Sequence, residues 1–215
     1  MASSDDIPTN LTKTLRRGQH VGIIGGDIAD HYSHAMAWID VIGPLGAAFC
    51  VDLGTGAGLP GLALALANPE SRWLLTEARG TRATFVQSAV RQLQLQDQVV
   101  VWDRDVQEAA HEDEYRGSAD LVTARAFGSP AITAECAAPF LRPNGRLVVS
   151  EPPAPTAAGD VASEQRWPPK PLAELGLGPA ELHTETYRFA SMQRMGTIES
   201  ALPRRRSAME RSPYF

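Results

Sequence analysis

The stretch Val51-Asp52-Leu53-Gly54-Thr55-Gly56-Ala57-Gly58-Leu59-Pro60-Gly61 constrains the fold more than any other part of the chain. An apolar run leads into it and ends on an acid. Glycines at every second position follow, then a proline and a further apolar segment. A strand, a tight turn and a helix fit that order. Glycine tolerates the left-handed backbone that such turns need, and proline suits a first helical turn. A corner of this kind is where a doubly wound α/β domain holds a nucleotide cofactor.

The flanking sequence keeps the same alternation. Strands are expected at 47–53, 72–76, 99–102, 119–123 and 146–150, with helices at 59–67, 81–95, 106–114 and 130–141 between them. Strands that alternate with helices of this length give βαβ units and a parallel sheet. In the 81–95 helix, Ala83, Val86, Val90 and Leu93 recur at helical spacing and mark its buried side. Two helices precede the core, at 10–18 and 28–42. Asp27 is placed to cap the second, and Ile28, Tyr32, Met36 and Ile39 form one face of it. Past residue 150 the composition shifts towards proline, so 151–171 is expected to be an extended, mobile loop. A short helix at 172–175 follows, and runs at 182–190 and 196–202 are expected to pair as an antiparallel edge hairpin. Residues 1–9 are expected to be disordered, and 204–215 an exposed basic tail.

A chain of 215 residues suits one domain, and its net charge of −5 excludes a polycation. Contact with nucleic acid would therefore need local basic patches. Lys13, Arg16 and Arg17 offer one, and Arg204, Arg205, Arg206 and Arg211 another. The cysteines, Cys50 and Cys136, form no motif, which points to a reducing compartment, with Cys50 packed in the core. The polar N-terminus lacks the apolar centre of a secretion signal, and the 59–67 run is too short to cross a bilayer. A cytoplasmic monomer without metal or membrane association is expected.

Read literally, Gly56-Ala57-Gly58-Leu59-Pro60-Gly61 is a G-x-G-x-x-G dinucleotide fingerprint, and Glu77 lies where such a site places its ribose acid. Two features oppose that reading. The turn begins at Gly54, one Gly-x step early, and Asp52 would set a carboxylate beside a pyrophosphate. The sulfonium and ammonium of S-adenosylmethionine suit Asp52 better. Gly54, Thr55, Gly56 and Gly58 would form the turn around that ligand, and Glu77 would accept from both ribose hydroxyls. Asp105, after the third strand, is placed either to accept from the adenine amine or to cap the next helix. A dinucleotide and a ligand-free turn remain as alternatives on these residues alone.

The runs VDLGTGAGLPGLALALANPE, TEARGTRATFVQSAVRQL and ADLVTARAF resemble the glucose-inhibited division protein B family over roughly 22–149. These are bacterial methyltransferases that modify a guanine of small-subunit ribosomal RNA at N-7. The resemblance implies a class I methyltransferase fold. Its Rossmann-like, mostly parallel sheet has seven strands and an antiparallel final hairpin, with an N-terminal helical extension. It implies S-adenosylmethionine as cofactor and ribosomal RNA, or the small ribosomal subunit, as partner. On this reading 10–203 is one methyltransferase domain: N-terminal helices at 10–44, a cofactor core at 45–150, the loop at 151–171, and a C-terminal helix and hairpin at 172–203. Thr123-Ala124-Arg125-Ala126-Phe127 matches the family's Arg-Ala-Phe signature. The resemblance places Arg125 towards the cofactor cleft, to hold a phosphate or the guanine acceptor edge, and His34 near the catalytic cleft. Guanine N-7 carries a lone pair and no proton, so the transfer needs no general base, and orientation is the main requirement.

The sequence also departs from the family. Ser150-Glu151 replaces a Lys-Gly after the fifth strand, and Ser33 stands where the family has an Arg. These changes fall on the substrate side and leave the cofactor residues intact. The missing Lys and the acidic pI keep a small-molecule methyltransferase open as an alternative, beside a non-catalytic S-adenosylmethionine-binding protein and, on the literal glycine fingerprint, an NAD-dependent oxidoreductase.

Overall fold

The computed structural model describes residues 7–153 and 165–215. They form two compact units, divided in sequence between Asp105 and Val106. The strands make a seven-stranded sheet in the order β3-β2-β1-β4-β5-β7-β6, the architecture expected from the sequence.

The first unit carries α1 (Thr9–His20), α2 (Ile28–Ile42), β1 (Phe49–Leu53), α3 (Gly61–Ala67), β2 (Arg72–Thr76), α4 (Gly80–Gln92) and β3 (Val99–Trp102). Its strands are parallel: Val51 lies opposite Leu74, and Leu74 opposite Val100. Cys50, Val51, Leu53, Trp73, Leu74 and Leu75 are almost wholly buried, as expected for strands covered on both faces. The expected buried side of α4 is found, with Ala83, Val86, Val90 and Leu93 inside. Asp27 caps α2 by accepting from the Ala29 and Asp30 N–H groups. The buried stripe of α2, however, is Ala35, Trp38 and Ile42, while Ile28, Tyr32, Met36 and Ile39 are only half-buried. Trp38 is fully buried and, as the largest apolar side chain of the helix, sets which face turns inward.

The N-terminal expectation needs correction. Residues 1–6 of the expected disordered segment lie outside the described residues, but Ile7 is buried and α1 already starts at Thr9. Leu11 and Leu15, one helical turn apart and both fully buried, anchor that helix.

The second unit carries α5 (Val106–His111), β4 (Ala119–Ala124), α6 (Pro130–Ala137), β5 (Leu141–Ser150), α7 (Pro169–Glu174), β6 (Glu181–His183), β7 (Phe189–Gln193) and α8 (Arg206–Arg211). β4 and β5 are parallel, and β7 runs antiparallel to both β5 and β6. The hairpin therefore forms between 181–183 and 189–193, and no strand covers 196–202. β5 begins five residues earlier than expected. It carries the 142–145 turn signal within it, where the register against β4 is irregular and Asn144 has φ of 65°.

The basic tail is also corrected. Arg204 donates to both oxygens of the buried Glu135 carboxylate, Met209 is fully buried, and Phe215 meets Trp167 edge-on. Burying Met209 and pairing Glu135 hold 204–215 on the second unit. The expected mobile loop lies partly outside the described residues, at 154–164. Its C-terminal end is packed, since Trp167 is 2% exposed.

Candidate functional site

The glycine turn of the first unit is held from below by β2. The Gly54 N–H donates to Thr76 Oγ1 at 3.1 Å, and that hydroxyl donates to the Asp52 carbonyl at 3.2 Å. The Thr55 N–H donates to the Thr76 carbonyl at 2.9 Å. Thr76 thus ties the end of one strand to the turn after its neighbour. Sequence reasoning missed it, although a hydroxyl residue just before the acid Glu77 was a usable signal.

Gly54, Gly56 and Gly58 all have positive φ, at 60°, 61° and 92°. Two of these positions differ in what surrounds them. A Cβ at Gly58 would lie 2.2 Å from Leu62 Cδ1, so close packing against α3 requires glycine there. A Cβ at Gly56 would meet nothing nearer than the Gly54 carbonyl at 3.9 Å, which leaves that side of the turn open to a ligand.

Two carboxylates brace the turn. Asp52 is fully buried and accepts from the Gly61 N–H at 3.1 Å, at the start of α3. Its side chain therefore lies at the junction of β1, the glycine turn and α3. Glu77 is 6% exposed, and its Oε2 accepts from the Gly56 N–H at 3.1 Å while Oε1 accepts from the Arg79 N–H at 2.9 Å. No cation neutralises it among the described residues. Each oxygen keeps a lone pair for a further donor. Thr55 Oγ1 is buried and has no hydrogen-bond partner among the described residues. A buried hydroxyl without a partner is costly, and at a functional turn it marks a place for a ligand atom.

Beyond β3, Asp105 is exposed, and its carbonyl accepts from Trp102 Nε1 at 3.1 Å. The Arg104 guanidinium lies over the Trp102 ring at 4.1 Å, a cation–π contact that covers part of this strand end. Asp52, Gly54, Thr55, Gly56, Gly58, Glu77 and Asp105 therefore all belong to the first unit. So does His34, which is half-buried on α2 with its ring edge-on to Trp38 at 6.5 Å.

Arg125 belongs to the second unit. It is half-buried just past β4 and lines a cavity of about 260 Å³ with Phe127, Thr133, Glu151, Arg166 and Trp167. The next residue, Ala126, has φ of 54°, an uncommon left-handed backbone for a residue with a Cβ. Glu151 is part of the departure from the family's Lys-Gly, an acid where a base could meet RNA. It is turned inward: Arg166 Nε donates to its Oε2 at 2.7 Å and Trp167 Nε1 to its Oε1 at 3.0 Å, leaving 2% of the side chain exposed. Sequence spacing gave no hint of this pairing, because both donors lie some 15 residues away across a proline-rich run. Among the described residues no cluster of His, Cys, Asp or Glu is arranged to hold a metal ion, and no helix is long and apolar enough to cross a membrane.

Comparison with known proteins accords with this geometry. Ribosomal RNA small subunit methyltransferase G of Parasynechococcus marenigrum (strain WH8102) is 38% identical over 99 residues, 46% of this chain and 40% of that protein. The protein of the same name from Roseiflexus sp. (strain RS-1) is 33% identical over 143 residues, 66% of this chain and 56% of its own length. The chain thus spans about half the length of the curated relatives it matches. Among solved structures, an O-methyltransferase from Bacillus cereus in complex with S-adenosylhomocysteine superposes with a TM-score of 0.63 at 16% identity, covering 87% of this chain and 91% of that one. An S-adenosylmethionine-dependent O-methyltransferase from Thermotoga maritima gives 0.61 at 14% identity, covering 90% and 74%. At such identities the likeness is one of fold. The family model described as GidB, rRNA small subunit methyltransferase G, matches residues 30–151, more than half of the sequence, and the chain belongs to that family.

Proposed function

We propose that this protein transfers a methyl group from S-adenosylmethionine to N-7 of a guanine in small-subunit ribosomal RNA. The observation that carries the proposal is the combination of family membership with a nearly buried acid, Glu77, held by two backbone N–H groups and no cation, beside a buried hydroxyl, Thr55, both without further partners among the described residues. Both features call for a ligand with several hydrogen-bond donors and acceptors.

The residues present fit the cofactor. Glu77 would accept the ribose hydroxyls on its remaining lone pairs, in a cradle whose Gly56 side is open. Thr55 Oγ1 would meet a polar atom of the ligand. Asp52 is proposed to favour the cationic end of the molecule, directly or through water, and Asp105 to accept from the adenine amine. When bound, the cofactor supplies an electrophilic methyl group on a sulfonium. What remains for the chain is to orient the acceptor, because guanine N-7 has no proton to remove. Arg125 is proposed as the acceptor-side donor, its guanidinium suited to a phosphate or to a guanine edge. His34, held against Trp38, is proposed as a contact or positioning group on the N-terminal helix.

The test is methyl incorporation into small-subunit RNA taken from cells that lack this gene, followed by mapping of the modified base. One N-7-methylated guanine is expected. Cofactor binding with no incorporation at any guanine would overturn the proposal.

A further inference from the structure

Two segments of the first unit carry no acid. Neither 7–26 nor 78–96 contains Asp or Glu, in a chain whose overall charge is −5. Between them they hold six cations: Lys13, Arg16, Arg17, Arg79, Arg82 and Arg91. The fold brings these segments together by packing α1 against α4. Gly18 permits the close approach, since a Cβ there would lie 3.0 Å from the Phe85 ring and 3.2 Å from Ile24.

Beside that contact lies a groove of about 820 Å³ lined by Arg17, Gly22, Gly80, Arg82, Phe85 and Arg91, among other residues, with no acid in its walls. A Cβ at Gly22 or Gly80 would meet no heavy atom within 4 Å, so the groove is unobstructed at both places. Arg17 is fixed at one wall, with Nη2 donating to Ser88 Oγ at 3.0 Å and its guanidinium over the Phe85 ring at 5.5 Å. Among the described residues none of the six cations is in an ion pair. The arginines at the C-terminal end differ, because Arg204 is taken up by Glu135 and Arg206 by Glu210. The groove also adjoins the cofactor turn along the chain, for Glu77 holds the Arg79 N–H and Gly80 opens α4 on the groove wall.

We infer that this groove binds the sugar–phosphate backbone of the RNA that carries the target guanine, with Arg17, Arg82 and Arg91 on its phosphates. Planar guanidinium groups suit phosphate oxygens, and an exposed acid-free groove attracts a polyanion even on an acidic protein. Val21, 55% exposed at the groove edge, offers apolar contact to a sugar or base. This inference rests on RNA as the acceptor.

The experiment measures binding of the full chain to small-subunit RNA across a salt series, with the triple variant Arg17→Gln/Arg82→Gln/Arg91→Gln. Each lost phosphate contact on a single strand flattens the log–log salt slope by about 0.7, so the variant should lose about two units of slope and at least roughly tenfold in affinity near 0.15 M salt. Its affinity for S-adenosylmethionine should be unchanged. The double variant Arg82→Gln/Arg91→Gln leaves the Arg17–Ser88 and Arg17–Phe85 contacts intact and should show about two-thirds of the slope change. Wild-type protein without salt-dependent RNA affinity overturns the RNA reading and the groove with it. Wild type that binds and methylates RNA, alongside a triple variant of equal affinity and slope, overturns the groove alone. So does a triple variant that loses binding to phosphatidylserine vesicles while keeping its RNA slope.

Discussion

Glu77 and Glu151 each follow a strand, each is nearly buried, and each accepts two hydrogen bonds, but their donors differ in kind. Glu77 is held by two backbone N–H groups, so its charge is solvated without being cancelled and its remaining lone pairs stay usable. Glu151 is held by a guanidinium and an indole N–H, so its charge is cancelled within the fold. A buried carboxylate held by neutral donors is poised for a ligand, whereas one held by a cation is committed to the protein. The same logic separates the basic segments. Arg204 is occupied by Glu135, whereas Arg17, Arg82 and Arg91 meet no acid among the described residues.

Removing each acid in turn separates a ligand-binding role from a structural one. Glu77→Ala should lower methyl transfer at subsaturating S-adenosylmethionine by about 100-fold or more, because charge-assisted bonds to two hydroxyls are lost. Steady-state kinetics should place most of that loss in the KM for the cofactor. Glu151→Ala should act on the fold instead. It strands the Arg166 guanidinium and the Trp167 N–H, and urea unfolding should show a loss of about 1–3 kcal/mol, tempered by the partial exposure of Arg166. Gly58→Ala probes packing at the turn. Its left-handed backbone and the Leu62 contact should cost about 1–3 kcal/mol of stability.

Thr55→Val removes a hydroxyl that has no partner among the described residues. Thermal stability should stay level or rise slightly, while cofactor affinity falls about fivefold to tenfold, as for one lost neutral hydrogen bond. The smallest effect lies at high pH in the second unit. Burial, with Glu114 and Glu112 nearby, raises the Tyr115 phenol above its ordinary value, and burial with Glu135 does the same for Tyr214. The folded state then holds these protons longer than the unfolded chain. Their contribution to stability is fully present below about pH 10 and is lost as pH rises through the raised folded values. Urea midpoints measured from pH 9 to 11 should fall over that window.

Much of the first unit was legible in the sequence, because its signals are local. The glycine spacing, the strand-ending Asp52, the spaced Glu77 and the Ala83–Leu93 stripe all act within one supersecondary unit. The second unit was less legible, because its decisive pairs are far apart in sequence. Arg204 finds Glu135 across 69 residues, and Trp167 reaches Glu151 across a proline-rich run that carries no periodicity. The edge hairpin was misplaced for a related reason. Strand β7 is chosen by the side chains it buries against β5, among them Phe189, Ala190 and Met192, and the 196–202 run offers no such set. Glu151, which stands where a base could have met RNA, is taken up by Arg166 within the second unit.

The most direct test of the account is calorimetric titration of S-adenosylmethionine into wild type, Glu77→Ala and Glu151→Ala, each at a temperature where the protein is folded. The account predicts tight binding to wild type, a loss of about 100-fold or more in Glu77→Ala, and an affinity within about twofold of wild type in Glu151→Ala. Equal affinities for wild type and Glu77→Ala would contradict it, as would a Glu151→Ala variant that loses as much as Glu77→Ala.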